Sequence, residues 1–175
     1  AWPAITFNGA WPVIGDLSAL MNSLHTFDGV IVAIGNNRIR YEKFMELMEK
    51  NAPLTSVIHP SAVISPYTQI GIGYVLFAGS IVNTEAKIGI AAILNTSSTV
   101  DHDCVLGDAV HLSPGVNLGG DVQIGNLSWI GIGTCIRHGI HIGHHVMVGA
   151  GAVVVENIPD GTTVIGVPAK PVTNR

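Results

Sequence analysis

An aliphatic side chain recurs at every sixth position through a hundred residues of this chain. The series runs Ile58, Ile64, Ile70, Leu76, Val82, Ile88, Leu94, Val100, Leu106, Leu112, Leu118, Ile124, Ile130, Ile136, Ile142, Val148 and Val154, without an insertion. A helix of 3.6 residues per turn drifts out of phase with a strict six, so no helical reading survives. The residue two before each repeat position is mostly small or β-branched, as at Ala62, Thr68, Ser80, Ala86, Ala92, Ser98, Cys104 and Thr134, with Tyr74 the large exception. The residue just after it is Gly, Asn or Asp in eleven of the seventeen hexads, among them Gly71, Asn83, Asp101 and Gly125. Those types tolerate positive φ, so a bend is expected there. Each hexad then reads as a short extended segment, one inward aliphatic and a bend, and such units stack into a solenoid. Three hexads per coil predict an 18-residue triangular turn. Seventeen hexads predict between five and six coils, roughly 25 Å of strands at ~4.8 Å per coil. An ordinary β-sandwich does not hold phase over such a length.

Composition agrees. Charged residues make up only 11% of the 175, and mean hydropathy is +0.45. No apolar run reaches the ~18 residues of a membrane span, so stacked strands and burial between subunits account for the apolarity. The net charge of −4, with Lys87 and Arg137 the only basic residues in the repeat, argues against a nucleic-acid surface. Cys104 and Cys135 read as small buried residues of a reducing compartment. With no signal peptide in view, a cytoplasmic location is expected. The chain has no initiator Met and reads as a processed or truncated form.

Residues 1–53 stand outside the repeat and predict a small α/β unit. Asp16 can cap a helix carrying Leu17, Leu20, Met21 and Leu24 at helical spacing. Val30 to Ile34 reads as a buried, parallel strand. Gly35-Asn36-Asn37 ends it, either as a simple turn or as a substrate loop, and a helix follows over about 38–50 with Tyr41, Phe44, Met45 and Met48 on one face. Residues 54–157 form the repeat domain and 158–175 a closing segment.

Residues Asn95 to Gly115 carry the candidate chemistry. Val100 points inward, so Asp101 takes the bend and His102 and Asp103 follow on the outer surface. A carboxylate beside an exposed imidazole can accept the Nδ1 proton and raise basicity at Nε2; a solvated corner is the competing reading. One coil on, Gly119-Gly120 leaves a bare patch over His102. The stretch from Arg137 to His145 is rich in histidine, but His138 and His144 lie on different sides of the triangle, too far apart for one ion at ~2 Å per bond.

The repeat resembles the left-handed parallel β-helix of the hexapeptide-repeat acyltransferases. Handedness comes from the resemblance alone, since parallel crossovers are normally right-handed. The run Val32 to Arg40 is similar to the N-terminal nucleotide-sugar-binding domain of bacterial sugar N-acetyltransferases. There a first strand and Gly-rich loop precede this region, which makes the α/β domain incomplete here. Asn95-Thr96, then Asp101-His102-Asp103-Cys104, then His111, resembles the active-site segment of the family that includes bacillosamine-pathway N-acetyltransferases and sialic-acid O-acetyltransferases. Gly166-Val167-Pro168-Ala169-Lys170 resembles the segment that closes many hexapeptide acyltransferases.

The resemblance implies His102 as general base, with Asp103 orienting it. It implies His111 near the thioester of acetyl-CoA, and Gly120, Ile132 and Ala150 as backbone contacts along the acyl-CoA. Lys170 would meet a CoA phosphate, and Asn36, Asn37 and Asn95 would face substrate. It also implies a homotrimer with acetyl-CoA between subunits, and no metal. The expected activity is direct acetyl transfer from acetyl-CoA to a UDP-linked 4-amino-4,6-dideoxy sugar. The alternatives are O-acetylation of sialic acid or another surface sugar, a non-catalytic trimeric scaffold, and a zinc site like that of the β-helix carbonic anhydrases. For the last, His102 and His138 lie two coils apart on one side, but a third histidine would fall at Gly143.

Overall fold

The computed structural model describes residues 4–172. From Val57 to Val154 the chain alternates two-residue strands and tight corners, and each strand up to Cys135–Ile136 pairs in parallel with the strand 18 residues on. The result is a three-faced parallel β-solenoid of about six coils. The first face stacks Val57–Ile58, Val75–Leu76, Ile93–Leu94, His111–Leu112, Trp129–Ile130, Met147–Val148 and Thr163–Ile165. The second stacks Val63–Ile64, Ile81–Val82, Thr99–Val100, Asn117–Leu118, Cys135–Ile136 and Val153–Val154. The third stacks Gln69–Ile70, Lys87–Ile88, Val105–Leu106, Gln123–Ile124 and His141–Ile142. An antiparallel strand, Lys170–Pro171, closes the first face.

Inward side chains come from each repeat position and from the residue two before it. Leu76, Leu94, Val100, Leu112, Ile130 and Val148 are fully buried, and so are Val110, Val116 and Val122 between them. Each such aliphatic contributes about 1.5–3 kcal/mol over leaving it in water. Small residues at Ser80, Ala86, Ala92, Ser98 and Cys104 keep the lower coils from overfilling. At the open end of the prism Ile58 has no coil beneath it and stays exposed.

The bend falls later than the sequence pattern suggests. Positive φ occurs three residues after the repeat position, at Gly73, Gly79, Glu85, Ala91, Ser97, Asp103, Ala109, Gly115, Asp121 and onward. There the amide turns back to the coil below, as in Ala109 N–H to the Ile90 carbonyl at 2.8 Å. Asp101 therefore precedes the turn, and His102 and Asp103 form it. The glycines just after the repeat position serve close approach instead. A Cβ on Gly107 would collide with the Asn126 side chain and lie 2.7 Å from its amide nitrogen. This closeness lets side chains descend one coil to cap corner amides: Asp108 accepts from Ile90 N–H at 3.0 Å, Asn126 from Asp108 N–H at 3.0 Å, and His144 Nδ1 from Asn126 N–H at 2.9 Å.

Before the solenoid stand an antiparallel pair, Phe7–Asn8 with Trp11–Pro12, and two helices, α1 (Leu17–Asn22) and α2 (Asn37–Glu49). Asp16 caps α1 through the Ala19 amide at 2.9 Å. The expected strand at Val30 to Ile34 is an extended segment with a single parallel bridge, Val30 to Leu54. Val30 and Val32 are buried under it by alternation, against α2 and a solenoid corner.

The buried face of α2 is also rotated from the expected one. It presents Asn37, Arg40, Phe44 and Leu47, while Met48 is exposed. Apolar periodicity misplaced it because two of its four residues are polar. Arg40 is 1% exposed and has no carboxylate partner among the described residues. Its guanidinium donates to the carbonyls of Ala91 at 2.8 Å, Ile34 and Gly35 at 2.9 Å each, and Ala109 at 2.8 Å, and to Asn37 Oδ1 at 2.9 Å. Burial lowers its pKa to about 10, so it is still a cation at neutral pH. Asn37 donates to the carbonyls of Leu127 and Ser128 at 3.1 Å each. The two side chains thus tie the start of α2 to three successive coils.

Arg40→Met fills the volume but strands these acceptors in a buried site. Equilibrium denaturation should show a loss of roughly 2–4 kcal/mol. A change under half a unit would remove Arg40 from this role.

Candidate active site

His102 sits at the corner between the second and third faces. The corner is pinned from both sides: Asp103 N–H donates to the Thr84 carbonyl below at 3.2 Å, and Asp121 N–H from above donates to the His102 carbonyl at 2.9 Å. The His102 ring is 56% exposed, and its Nδ1 lies 2.7 Å from Asp103 Oδ2. A carboxylate at that distance accepts the Nδ1 proton and leaves Nε2 with a free lone pair. The ring's pKa is raised, first by the Asp103 hydrogen bond and then by the nearby charge of Asp101. Ring and Gly120 touch: a Cβ on Gly120 would lie 2.5 Å from His102 Cε1 and 2.6 Å from Nε2. Any side chain there would push the imidazole aside.

The neighbouring amides are open. The corner amides of Ile90, Thr96, Asp108, Asn126 and His144 are capped by Asp, Asn or His side chains, and His102 N–H itself donates to Asp101 Oδ1 at 2.8 Å. Gly120, Ile132 and Ala150 follow the glycines Gly119, Gly131 and Gly149, and their N–H groups have no acceptor among the described residues. Ile132 and Ala150 stack at the corner between the first and second faces. Asn95 ends its first-face strand just before that corner, its Oδ1 accepting from Thr96 N–H at 2.8 Å. Lys170 lies on the His102 side, paired at 3.0 Å with Glu156, which tops the His102 corner three coils up, ~14 Å away. His102, Gly120 and Lys170 therefore edge the second face on one side, and Asn95, Ile132 and Ala150 on the other. Between them the face presents Thr99, Asn117, Cys135 and Val153.

His111 is elsewhere. It is an outward residue of the first face, which is the side of the prism opposite the His102 corner, with the apolar core between them. It is 6% exposed, stacks on Trp129 with ring centroids 4.1 Å apart, and neither ring nitrogen has a hydrogen-bond partner among the described residues. Burial, with the Arg40 charge second, lowers its pKa to about 4, so it is a neutral imidazole at physiological pH. Asn36 and Asn37 lie nearby and have structural duties. Asn36 caps α2 through Ile39 N–H at 3.0 Å. Asn37 is buried with both amide protons engaged. Asn36, Asn37, Arg38, Trp129, His145 and Met147 are among the residues lining a cavity of about 190 Å³. Cys104 is buried, donates to the Gly119 carbonyl at 3.2 Å, and has its pKa pushed up to about 11, chiefly by burial, which rules it out as a thiolate acyl carrier. Trp129 escaped the sequence reading, and so did the pairing of Asn83 with Asp101, although the 18-residue interval between them could have found it.

His111 makes stability depend on pH. The unfolded chain takes up a proton near the ordinary histidine value of 6.5, while the folded chain resists until about 4. The unfolded state thus binds more protons in that window, and stability falls as pH falls from 6.5 to 4, by up to ~3 kcal/mol. Denaturation across this range should show the slope in the native chain and a flatter profile in His111→Gln; identical profiles would overturn the assignment.

Residues 3–47 match the family described as the PglD N-terminal domain. A search of the curated proteins returned no match. Three solved structures resemble the whole chain. The acetyltransferase domain of PglB from Neisseria gonorrhoeae FA1090, in complex with acetyl coenzyme A, is 44% identical with a TM-score of 0.91, over 95% of this chain and 81% of that one. PerB from Caulobacter crescentus, in complex with CoA and GDP-perosamine, is 42% identical with a TM-score of 0.90, over 93% and 79%. WeeI from Acinetobacter baumannii AYE is 31% identical with a TM-score of 0.90, over 98% and 82%. With such identities across nearly its full length, and a corner histidine held by an adjacent carboxylate, the chain belongs to the bacterial hexapeptide-repeat sugar acetyltransferases and is an acyltransferase.

Proposed function

We propose that this protein transfers the acetyl group of acetyl-CoA directly to the amine of a nucleotide-linked 4-amino-4,6-dideoxy sugar, with His102 as general base. The observation that carries this reading is the His102–Asp103 contact of 2.7 Å beside an unobstructed Gly120. Acetyl-CoA lies along the second face, its thioester at His102 and its far end toward Lys170. The amine nitrogen attacks the thioester carbonyl and sheds a proton to His102 Nε2. The carbonyl oxygen gains charge and is met by the open Gly120 amide. Collapse of the tetrahedral intermediate breaks the carbon–sulfur bond and releases CoA as thiolate, which the imidazolium can protonate. Asp103 holds the ring in the tautomer this needs and stabilises the imidazolium.

The reading includes a homotrimer, which the placement of His111 supports. One chain cannot bring His111 to His102, so a shared site needs a neighbour's first face against this second face, and cyclic symmetry repeats that contact three times. The cavity at Asn36 and Trp129 then opens toward the neighbour's His102 and receives the nucleotide sugar. UDP is the carrier we favour. PerB, whose complex holds GDP-perosamine, makes GDP the competing carrier.

The test is CoA release from acetyl-CoA with UDP- and GDP-linked 4-amino sugars. Turnover with a UDP sugar should fall by on the order of 10²–10⁴ in His102→Ala. Turnover with GDP sugars alone would replace the carrier, and unchanged turnover in the variant would remove His102 from the chemistry. Because the base must be deprotonated and its pKa is raised, kcat/KM should climb with pH through a limb whose midpoint lies above the ordinary histidine value and level off beyond it.

Gly120→Ala offers a separate check. The methyl displaces the exposed His102 ring, not packed backbone. We expect kcat to collapse with the thermal midpoint nearly unchanged; full activity would show that the ring position is not critical.

A further inference from the structure

We propose that Asp101, held by Asn83 from the coil below, is a positioning residue that sets both the orientation of the His102 turn and the proton affinity of its ring. This inference rests on His102 as the general base and names a device behind it.

Asp101 Oδ1 accepts two hydrogen bonds. One comes from the His102 backbone N–H at 2.8 Å, and the other from Asn83 Nδ2 at 2.9 Å. Asn83 and Asp101 occupy the same place in successive coils, following Val82 and Val100 on the second face. The next place up is Gly119, where a Cβ would lie 2.7 Å from the His138 amide nitrogen, so the pairing of Asn83 with Asp101 is not continued into that coil. The contrast with the coil above is informative. There Gly119 leaves the Gly120 amide open for a ligand, whereas Asp101 closes the equivalent His102 amide and puts a carboxylate beside the ring.

Asp103 and Asp101 then divide the work. Asp103 bonds Nδ1 directly, and Asp101 acts through the backbone and through its charge. Asn83 and the His102 amide both favour the ionised form of Asp101, whose pKa is lowered, first by the Asn83 bond. The other charged or titratable groups at this corner are Asp103 on the same turn, Glu85 one coil below, Asp121 one coil above and His138 two coils above. Tyr67 lies two coils below and Arg137, in the Asp101 column, two coils above; the groups within one coil of the His102 turn are all acidic. Asp101 differs from the other carboxylates in being anchored by a side chain from another coil.

Asp101→Asn separates charge from geometry. Its amide oxygen can still accept the His102 N–H, but the negative charge is gone. The His102 ring is titrated by NMR, and the acid limb of kcat/KM is measured in parallel. Both midpoints should move to lower pH in Asp101→Asn, with the thermal midpoint little changed. Asn83→Ala should lower kcat several-fold while leaving KM for acetyl-CoA near its original value, and Asn83→Ser, which restores a donor, should recover part of the loss. An unmoved NMR midpoint in Asp101→Asn, or an Asn83→Ala enzyme with normal kcat, would overturn the proposal. If the NMR midpoint moves and the kinetic limb does not, Asp101 still governs the ring, and it is His102 as base that fails.

Discussion

Everything in this molecule depends on each coil satisfying the backbone amides of the coil beside it at an interval of 18 residues. The strand amides do so along the faces, and the positive-φ residues do so at the corners, as Asp121 does for the His102 carbonyl. A left-handed backbone conformation at Asp103, Ala109 or Leu127 costs ~1–2 kcal/mol, and the coil-to-coil bond offsets it. One inserted residue would misplace every aliphatic above it. The same regularity makes the corners useful, since a residue at a corner is fixed by backbone above and below without needing buried packing of its own.

The joint between the N-terminal segment and the solenoid uses a different force. Arg40 brings a charge into an apolar cluster with no counter-ion among the described residues and spreads it over four carbonyls and an amide oxygen. Such an arrangement is costly to desolvate but highly directional, so it fixes how the Gly35 loop sits against Ala91 and Ala109. It also carries a chemical consequence. His111 is close enough to the Arg40 charge, and buried deeply enough, to stay neutral. It can offer a ligand a neutral hydrogen bond but not a positive charge.

Two kinds of glycine shape the active corner. Gly119 is small because the next coil passes against it, and Gly120 because the His102 ring does. Together they open one amide next to a basic nitrogen. Acyl transfer asks for that pairing, a proton acceptor for the nucleophile and a donor for the developing oxyanion. In the proposed mechanism the second face, bounded by His102 and Lys170 on one side and Ile132 and Ala150 on the other, is the surface along which acetyl-CoA reaches both.

The sequence by itself determined the solenoid, its three-hexad coil and its inward residues, because a strict six is incompatible with other periodicities and each inward position is read directly as an aliphatic. It also singled out His102, Asp103 and Gly120, since residues 18 apart must stack. Tertiary structure decided what depends on direction and desolvation. The turn falls on His102 and Asp103 and not on Asp101, because it is set by where the next coil accepts an amide, and glycine composition reports crowding as readily as φ. The helix face at Arg40 and Asn37 was illegible because periodicity counts only apolar residues, while burial there is stabilised by carbonyls from three distant coils. The separation of His111 from His102 was hidden for a similar reason: nine residues is half a coil, and half a coil carries a side chain to the opposite side of the prism.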